Sequence, residues 1–258
     1  MDMVDSNTRT PENELFDTDM MKETLDDEMA LSEHIEEFSQ RLIFCLVILI
    51  IATLICFADV KEIVKIFQAP AIGIKFLQFS PGEFFFASIK IAAFCGILIS
   101  SPALIYQILL YILPGMTKNE RNIVLPVIFS SSILFIIGLL FSYFFLVPAA
   151  LTFFINYGAD IVEPFWSFEQ YFDFVAVLIF TTGLAFQVPV IQVVSGVLGL
   201  VSGKTMLQAW KYVVVLATII SAIITPSTDP VTQLLLSVAL IMLYLSGCTA
   251  VIFLKKEI

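Results

Sequence analysis

The chain has 258 residues, 59% of them hydrophobic and only 14% charged, with a mean hydropathy of +0.96. A soluble domain averages about 45–50% apolar and about 25% charged residues. The composition therefore excludes a disordered polymer, a nucleic-acid binder and a disulfide scaffold, and it points to a polytopic membrane protein. The net charge of −10 is concentrated at one end: 13 of the 23 acidic residues lie between Asp2 and Glu37, offset there only by Arg9 and Lys22.

Residues 1–28 are predicted to be an acidic tail, disordered or weakly helical. They contain no apolar core of a secretory signal and are too acidic for a transit peptide. Segment 29–41 is predicted to be an interfacial amphipathic helix. Leu31, Ile35, Phe38 and Leu42 fall at i, i+4, i+7 and i+11, an apolar stripe suited to a membrane surface. His34, Glu37 and Arg41 fall on a second stripe, which is either a solvated polar face or a carboxylate presented to a cationic ligand.

The body, 42–254, is predicted to hold six transmembrane helices, at 42–58, 91–113, 123–147, 174–201, 212–225 and 231–254. Six spans of roughly 20 residues use about 120 residues, so the chain has ample length. Pro114-Gly115 closes the second span and Pro148 stops the third, whereas Gly183, Pro189, Gly196 and Gly199 break up the fourth. The fifth is short, which either perturbs the bilayer or reflects an extension through Ala209, Trp210 and Lys211. Residues 255–258 form a short tail. An even number of spans places both termini on one side. Seven basic residues from Arg41 onward lie on that side, against Lys61, Lys65, Lys75 and Lys90 on the other. The positive-inside rule puts the termini in the cytoplasm or its organellar equivalent.

Polar residues within this apolar body are the candidates for function. Glu120, in Lys118-Asn119-Glu120-Arg121, precedes the third span, where a helix dipole favours an acid. Glu37 and Glu120 together offer two carboxylates on one membrane face, matching a ligand with two guanidinium groups. Gln187 lies on a stripe with Gly183, Ile191 and Ser195, as interhelical glue or as a contact for a translocating chain. Asp229 either caps the sixth helix, with Pro230 first inside it, or acts with Gln233 four residues on. Cys45, Cys56, Cys95 and Cys248 suit no metal by their spacing, and the lone His34 argues against haem. No catalytic residue, cofactor or metal is expected, and nucleic acid is not a partner.

In order and position these features resemble the TatC family, core subunits of the twin-arginine protein translocase. The resemblance spans residues 29–254. It rests on His34-x-x-Glu37 with Arg41, Pro70, Ser101-Pro102 leading to Tyr106-Gln107, Pro114, Glu120-Arg121, Phe186-Gln187-Val188-Pro189, and Thr225-Pro226 with Asp229 and Gln233. The stretches 76–86, 153–158 and 225–233 look like the cyanobacterial and thylakoid branch. Three positions depart from the broader pattern: Gln187 stands where most bacterial members carry Glu, Ser39 where an arginine is common, and Tyr111 where many have Phe. The resemblance implies an all-α, concave six-helix membrane protein that recognises twin-arginine signal peptides. Glu37, Glu120, Tyr111, Arg121, His34 and Arg41 would form that binding site. Gln187, Asp229 and Gln233 would be intramembrane or partner contacts, and Pro70, Pro114 and Pro189 structural positions. It further implies single-span TatA- and TatB-type partners, homo-oligomers within the receptor complex, contact with membrane lipids, and transport of folded proteins driven by the proton-motive force. The location implied is a thylakoid or cyanobacterial membrane. A small-solute secondary transporter is the alternative class, although no second half matching the broken fourth helix is visible.

Overall fold

A computed structural model describes residues 11–71, 73–112, 121–158, 165–225 and 229–257. It divides into two compact units, Met1–Leu46 and Val47–Ile258. Helix α1, Pro11–Ala58, begins in the first unit and ends in the second. After Pro11, at a position where the missing amide costs nothing, it contains neither proline nor glycine, and nothing in its backbone chemistry stops the helix. The helix therefore reaches back into the segment expected to be disordered or weakly helical. No break separates the predicted surface helix from the first span either, whose apolar part runs Ile35–Ala58.

The second unit contains the remaining elements. Amphipathic α2, Val60–Gln68, buries Val64 and Phe67 and exposes Lys61, Glu62 and Lys65. Strand β1, Lys75–Leu77, pairs in parallel with β2, Phe165–Ser167, in the register Lys75–Phe165. Helix α3, Glu83–Ile112, starts eight residues before the predicted second span. The aromatic run Phe84–Phe86 and Lys90 are helical rather than loop residues. Pro102 lies inside this helix, so the Leu98 carbonyl loses its amide donor. The Ser101 hydroxyl replaces it, donating to that carbonyl at 2.6 Å.

The third span does not stop at Pro148. It consists of α4, Arg121–Phe141, a π-helical turn at Ser142–Leu146, and α5, Val147–Gly158. A wider turn just before the proline accommodates both its ring and its missing N–H, so the span continues through it. The fourth span starts earlier than predicted, because Ser167 caps α6, Phe168–Ala185, by accepting from the Gln170 amide. It breaks at Phe186–Gln187 and resumes as α7, Val188–Val197, with Pro189 in its first turn. Short α8, Gly203–Gln208, leads to α9, Trp210–Ile224, and α10 runs Pro230–Glu257. The turn at Ala209 blocks further extension of α9. Its 15 residues rise about 22 Å, less than a roughly 30 Å hydrocarbon core.

Helices α3, α4 and α6 pack against one another, and α10 runs along α7, α8 and α9. The main core centres on Val175, Leu178 and Phe172 of α6, with Ala87 and Ile91 of α3, Leu146 at the end of the π-turn, Val147 at the start of α5, and Leu236 of α10. Gly96 lets α3 lie against α1, since a Cβ there would sit 2.8 Å from the Thr53 Cα.

Candidate functional site

Glu37 and Arg41 are one turn apart on α1, with the acid N-terminal to the base, the favourable order for an i,i+4 pair. Arg41 Nε and Nη2 both donate to Glu37 Oε1, at 3.0 and 2.6 Å. Both groups are partly exposed, where such a pair contributes about 0.2–1 kcal/mol. Because both bonds fall on one oxygen, the second oxygen of the carboxylate is not engaged by Arg41. The pair lies where the polar part of α1 gives way to the apolar stretch beginning at Ile35.

The rest of the predicted recognition site falls unevenly on the structure. Tyr111 is half-buried near the end of α3. Glu120 and Pro114 lie outside the described residues, as do the side chains of His34 and Arg121. Pro70 is half-buried in the turn after α2, and Pro189 is buried at the start of α7.

The three predicted intramembrane residues each have internal partners. Gln187 joins α4 to the α6–α7 break by a reciprocal pair: its Oε1 accepts from Ser131 Oγ at 2.5 Å and its Nε2 donates to Ser131 O at 3.2 Å. Ile191, four residues on, is 63% exposed, so the Gly183–Ser195 stripe does not form a continuous polar track. Asp229 is buried and accepts from the Thr232 amide at 2.8 Å and from the Thr232 hydroxyl, capping α10 with Pro230 first inside. Gln233 donates to the Thr218 carbonyl of α9 at 3.4 Å.

A second polar cluster was not anticipated in the sequence. Glu83, 5% exposed, binds four groups from three segments. Its Oε2 accepts from the amides of Phe79 and Ser80, at 2.6 and 3.2 Å, and its Oε1 from the Ser167 hydroxyl at 3.0 Å and the Glu169 amide at 3.4 Å. Lys90 donates to Glu169 at 2.5 Å and Asp173 at 3.2 Å, tying α3 to α6. The hydroxyls of Tyr143 and Tyr171 donate to the Ile66 and Phe67 carbonyls at the end of α2, both at 2.7 Å. These partners are 77 to 104 residues apart in sequence, so no local motif advertises them.

Among the described residues, five helical stretches are long and apolar enough to cross a membrane, and α9 is a shorter apolar helix. Hydroxyls such as those of Thr182, Thr218 and Thr249 donate to carbonyls of their own helix, whereas Tyr171, Gln187 and Gln233 bond across to other elements. The class is a polytopic helical membrane protein.

A family model for the Sec-independent protein translocase protein (TatC) matches residues 33–238. The chain belongs to the TatC family. It is 55% identical over 228 residues to an uncharacterized tatC-like protein, ycf43, of Porphyra purpurea, covering 88% of this chain and 90% of that one. It is 49% identical over 239 residues to the Sec-independent protein translocase protein TatC of Synechocystis, covering 92% and 94%. To the chloroplastic TATC of Pisum sativum it is 50% identical over 224 residues, covering 86% of this chain and 64% of the pea protein. Among solved structures, a crystal structure of the twin-arginine translocase receptor TatC superposes with a TM-score of 0.74 at 31% identity. That match covers 84% of this chain and 98% of the other. The relatives are thus of the cyanobacterial and chloroplast kind, as the sequence stretches suggest.

Proposed function

We propose that this translocase-family chain is the subunit that recognises twin-arginine signal peptides and, with TatA- and TatB-type single-span partners, moves folded proteins across a thylakoid or cyanobacterial membrane. The observation that carries the reading is Glu37, a carboxylate held by Arg41 at the head of the apolar part of α1, inside the family-matched region. Its second oxygen suits an incoming guanidinium. Glu120 is the second carboxylate, with Tyr111, Arg121 and His34 completing the site. Both termini lie on the cytoplasmic or stromal face, where the signal arrives, and the receptor complex contains several copies of the chain. The proton-motive force drives transport.

Ion pairs open to solvent contribute only about 0.2–1 kcal/mol each. The signal's apolar segment therefore supplies most of the affinity by entering the bilayer, and the carboxylates supply discrimination. Arginine suits this better than lysine, because its planar fork can engage a carboxylate with two parallel bonds. The test is site-specific photocrosslinking from position 120 with a twin-arginine precursor and a twin-lysine control. Strong crosslinking of the first and weak crosslinking of the second is expected; equal yields would rule out arginine recognition at this site.

A further inference from the structure

Most buried apolar side chains of the second unit fall into two clusters, while Phe135, Phe186 and Val190 belong to neither. The larger is the core described above. The smaller is built from Met206, Cys248 and Val251, with Val193 and Tyr244 against them, and belongs to α7, α8 and the C-terminal half of α10. Those three elements interlock closely. A Cβ on Gly196 would lie 2.5 Å from Val251, and one on Gly203 2.7 Å from Ile252. The Tyr244 hydroxyl donates to the Met206 carbonyl at 2.8 Å, and the Gln192 amide contacts the Cys248 sulfur at 3.4 Å. This smaller body holds together by its own contacts.

The connection between the two clusters is irregular. Helix α6 ends at Ala185, and the chain turns through Phe186–Gln187 before α7. Pro189 provides no amide for the usual bond back to Ala185, so the backbone is weakened at the turn. The neighbouring span is irregular as well: the π-turn Ser142–Leu146 follows α4, and among the described residues the buried Ser142 hydroxyl has no partner. Phe141 and Phe186 bridge the two irregularities, with ring centroids 5.6 Å apart. The one continuous element is α10. It passes from the larger cluster at Ile241 to the smaller at Tyr244 within one turn. Across this junction lies the reciprocal Ser131–Gln187 pair.

We infer that the Phe186–Gln187 turn is a hinge between the two bodies, and that the Ser131–Gln187 pair is the latch that holds it in the described conformation. Hinges are a few element-terminal residues that absorb the backbone change while packed bodies move intact. Paired side-chain hydrogen bonds at membrane depth are modest in strength, so they can hold a position and still release it. A neutral amide suits a latch of this kind: one Gln satisfies both the hydroxyl and the carbonyl of Ser131, which an ionised Glu cannot do. The inference rests on the translocase reading only for its consequence, that release of the latch belongs to transport and not to signal docking.

The test uses the full chain in lipid nanodiscs, without precursor or partners, so its result is independent of the translocase reading. Nitroxide pairs at the exposed positions Ile99 and Leu200, in a background with the four native cysteines replaced by alanine, report the distance between the two bodies. Ser131→Ala and Gln187→Leu should raise the population of a second distance by about threefold for each hydrogen bond lost. Gln187→Glu, which keeps the acceptor for the Ser131 hydroxyl and loses the donor to the Ser131 carbonyl, should match Ser131→Ala and fall between the parent and Gln187→Leu. Leu184→Ala, at an exposed neighbouring position, should match the parent. A single unchanged distance in both latch variants would overturn the hinge, and so would equal broadening in Leu184→Ala. In transport assays, Gln187→Leu should impair translocation more than precursor docking; loss of docking alone would remove the latch from the transport step.

Discussion

Glu37 and Glu83 are both carboxylates near the start of an apolar stretch, yet their surroundings give them opposite roles. Glu37 is partly exposed and, among the described residues, engaged through one oxygen, so it can take a further cation. Glu83 is buried and both oxygens accept bonds from fixed donors, so it serves to hold the β1 loop, β2 and α6 to α3. Replacing Glu83 by Gln puts an NH2 against one pair of donors and breaks that set. The thermal midpoint of the purified protein should fall, and further than for Ser167→Ala, which loses a helix cap worth about 1 kcal/mol together with one of the four Glu83 bonds. Precursor crosslinking at the proposed recognition site should survive in both. The opposite pattern is expected at Glu120, where Glu120→Lys sets a cation beside incoming arginines. Like-charge contact costs several kcal/mol, so binding should be abolished while the protein still inserts. Glu120→Ala should be milder, and Glu37→Ala should overlap with it non-additively, because both meet one ligand. Undiminished precursor crosslinking in Glu120→Lys would remove that residue from the site.

At the scale of elements, hydropathy reveals where a span must exist but says little about where its helix begins. Helix α3 shows why. Phe84–Phe86 and Lys90 read as loop, yet Lys90 finds Glu169 and Asp173 on α6, and the helix extends back to Glu83. That pairing depends on two residues about 80 positions away, which no local pattern encodes. Pro148 failed as a stop signal for a related reason, since the preceding π-turn removes the clash that proline makes in a regular helix. The Asp229-Pro230 cap, by contrast, is a local chemical device and is legible from sequence. So was the Glu37–Arg41 spacing, although not the closeness of that pair. Helix packing gives its own test at Gly96. A methyl group there would approach the Thr53 backbone, which cannot rotate away, to 2.8 Å from Cα and 2.9 Å from N. Gly96→Ala should therefore destabilise the protein by about 1–3 kcal/mol through overpacking. Thermal unfolding in detergent reads this, and an unchanged midpoint would show that α1 can shift away from α3 without loss.

Over the whole molecule, charge is distributed unlike any other property. The first 41 residues carry 13 acids against Arg9, Lys22 and Arg41, a formal charge of −10, which equals that of the entire chain. The remaining 217 residues are neutral in sum. Most of those acids lie on the part of α1 before its apolar stretch, on the face proposed to receive a cationic signal peptide. A field of one sign raises the local concentration of an oppositely charged ligand before any specific contact forms, and so acts on the association rate. Deleting residues 1–28 removes ten acids and two bases, leaving a formal charge of −2 with Glu37 and Glu120 in place. Association of a twin-arginine precursor should then slow by about tenfold at roughly 0.01 M salt, where the Debye length is about 30 Å. Dissociation should change little, because the contacts that hold the complex remain. At about 0.15 M salt the Debye length falls to about 8 Å and the two proteins should become nearly indistinguishable. Stopped-flow association at both salt concentrations measures this directly. Equal rates at low salt would mean that the acidic segment is a passive extension, and that the recognition carboxylates alone attract the signal.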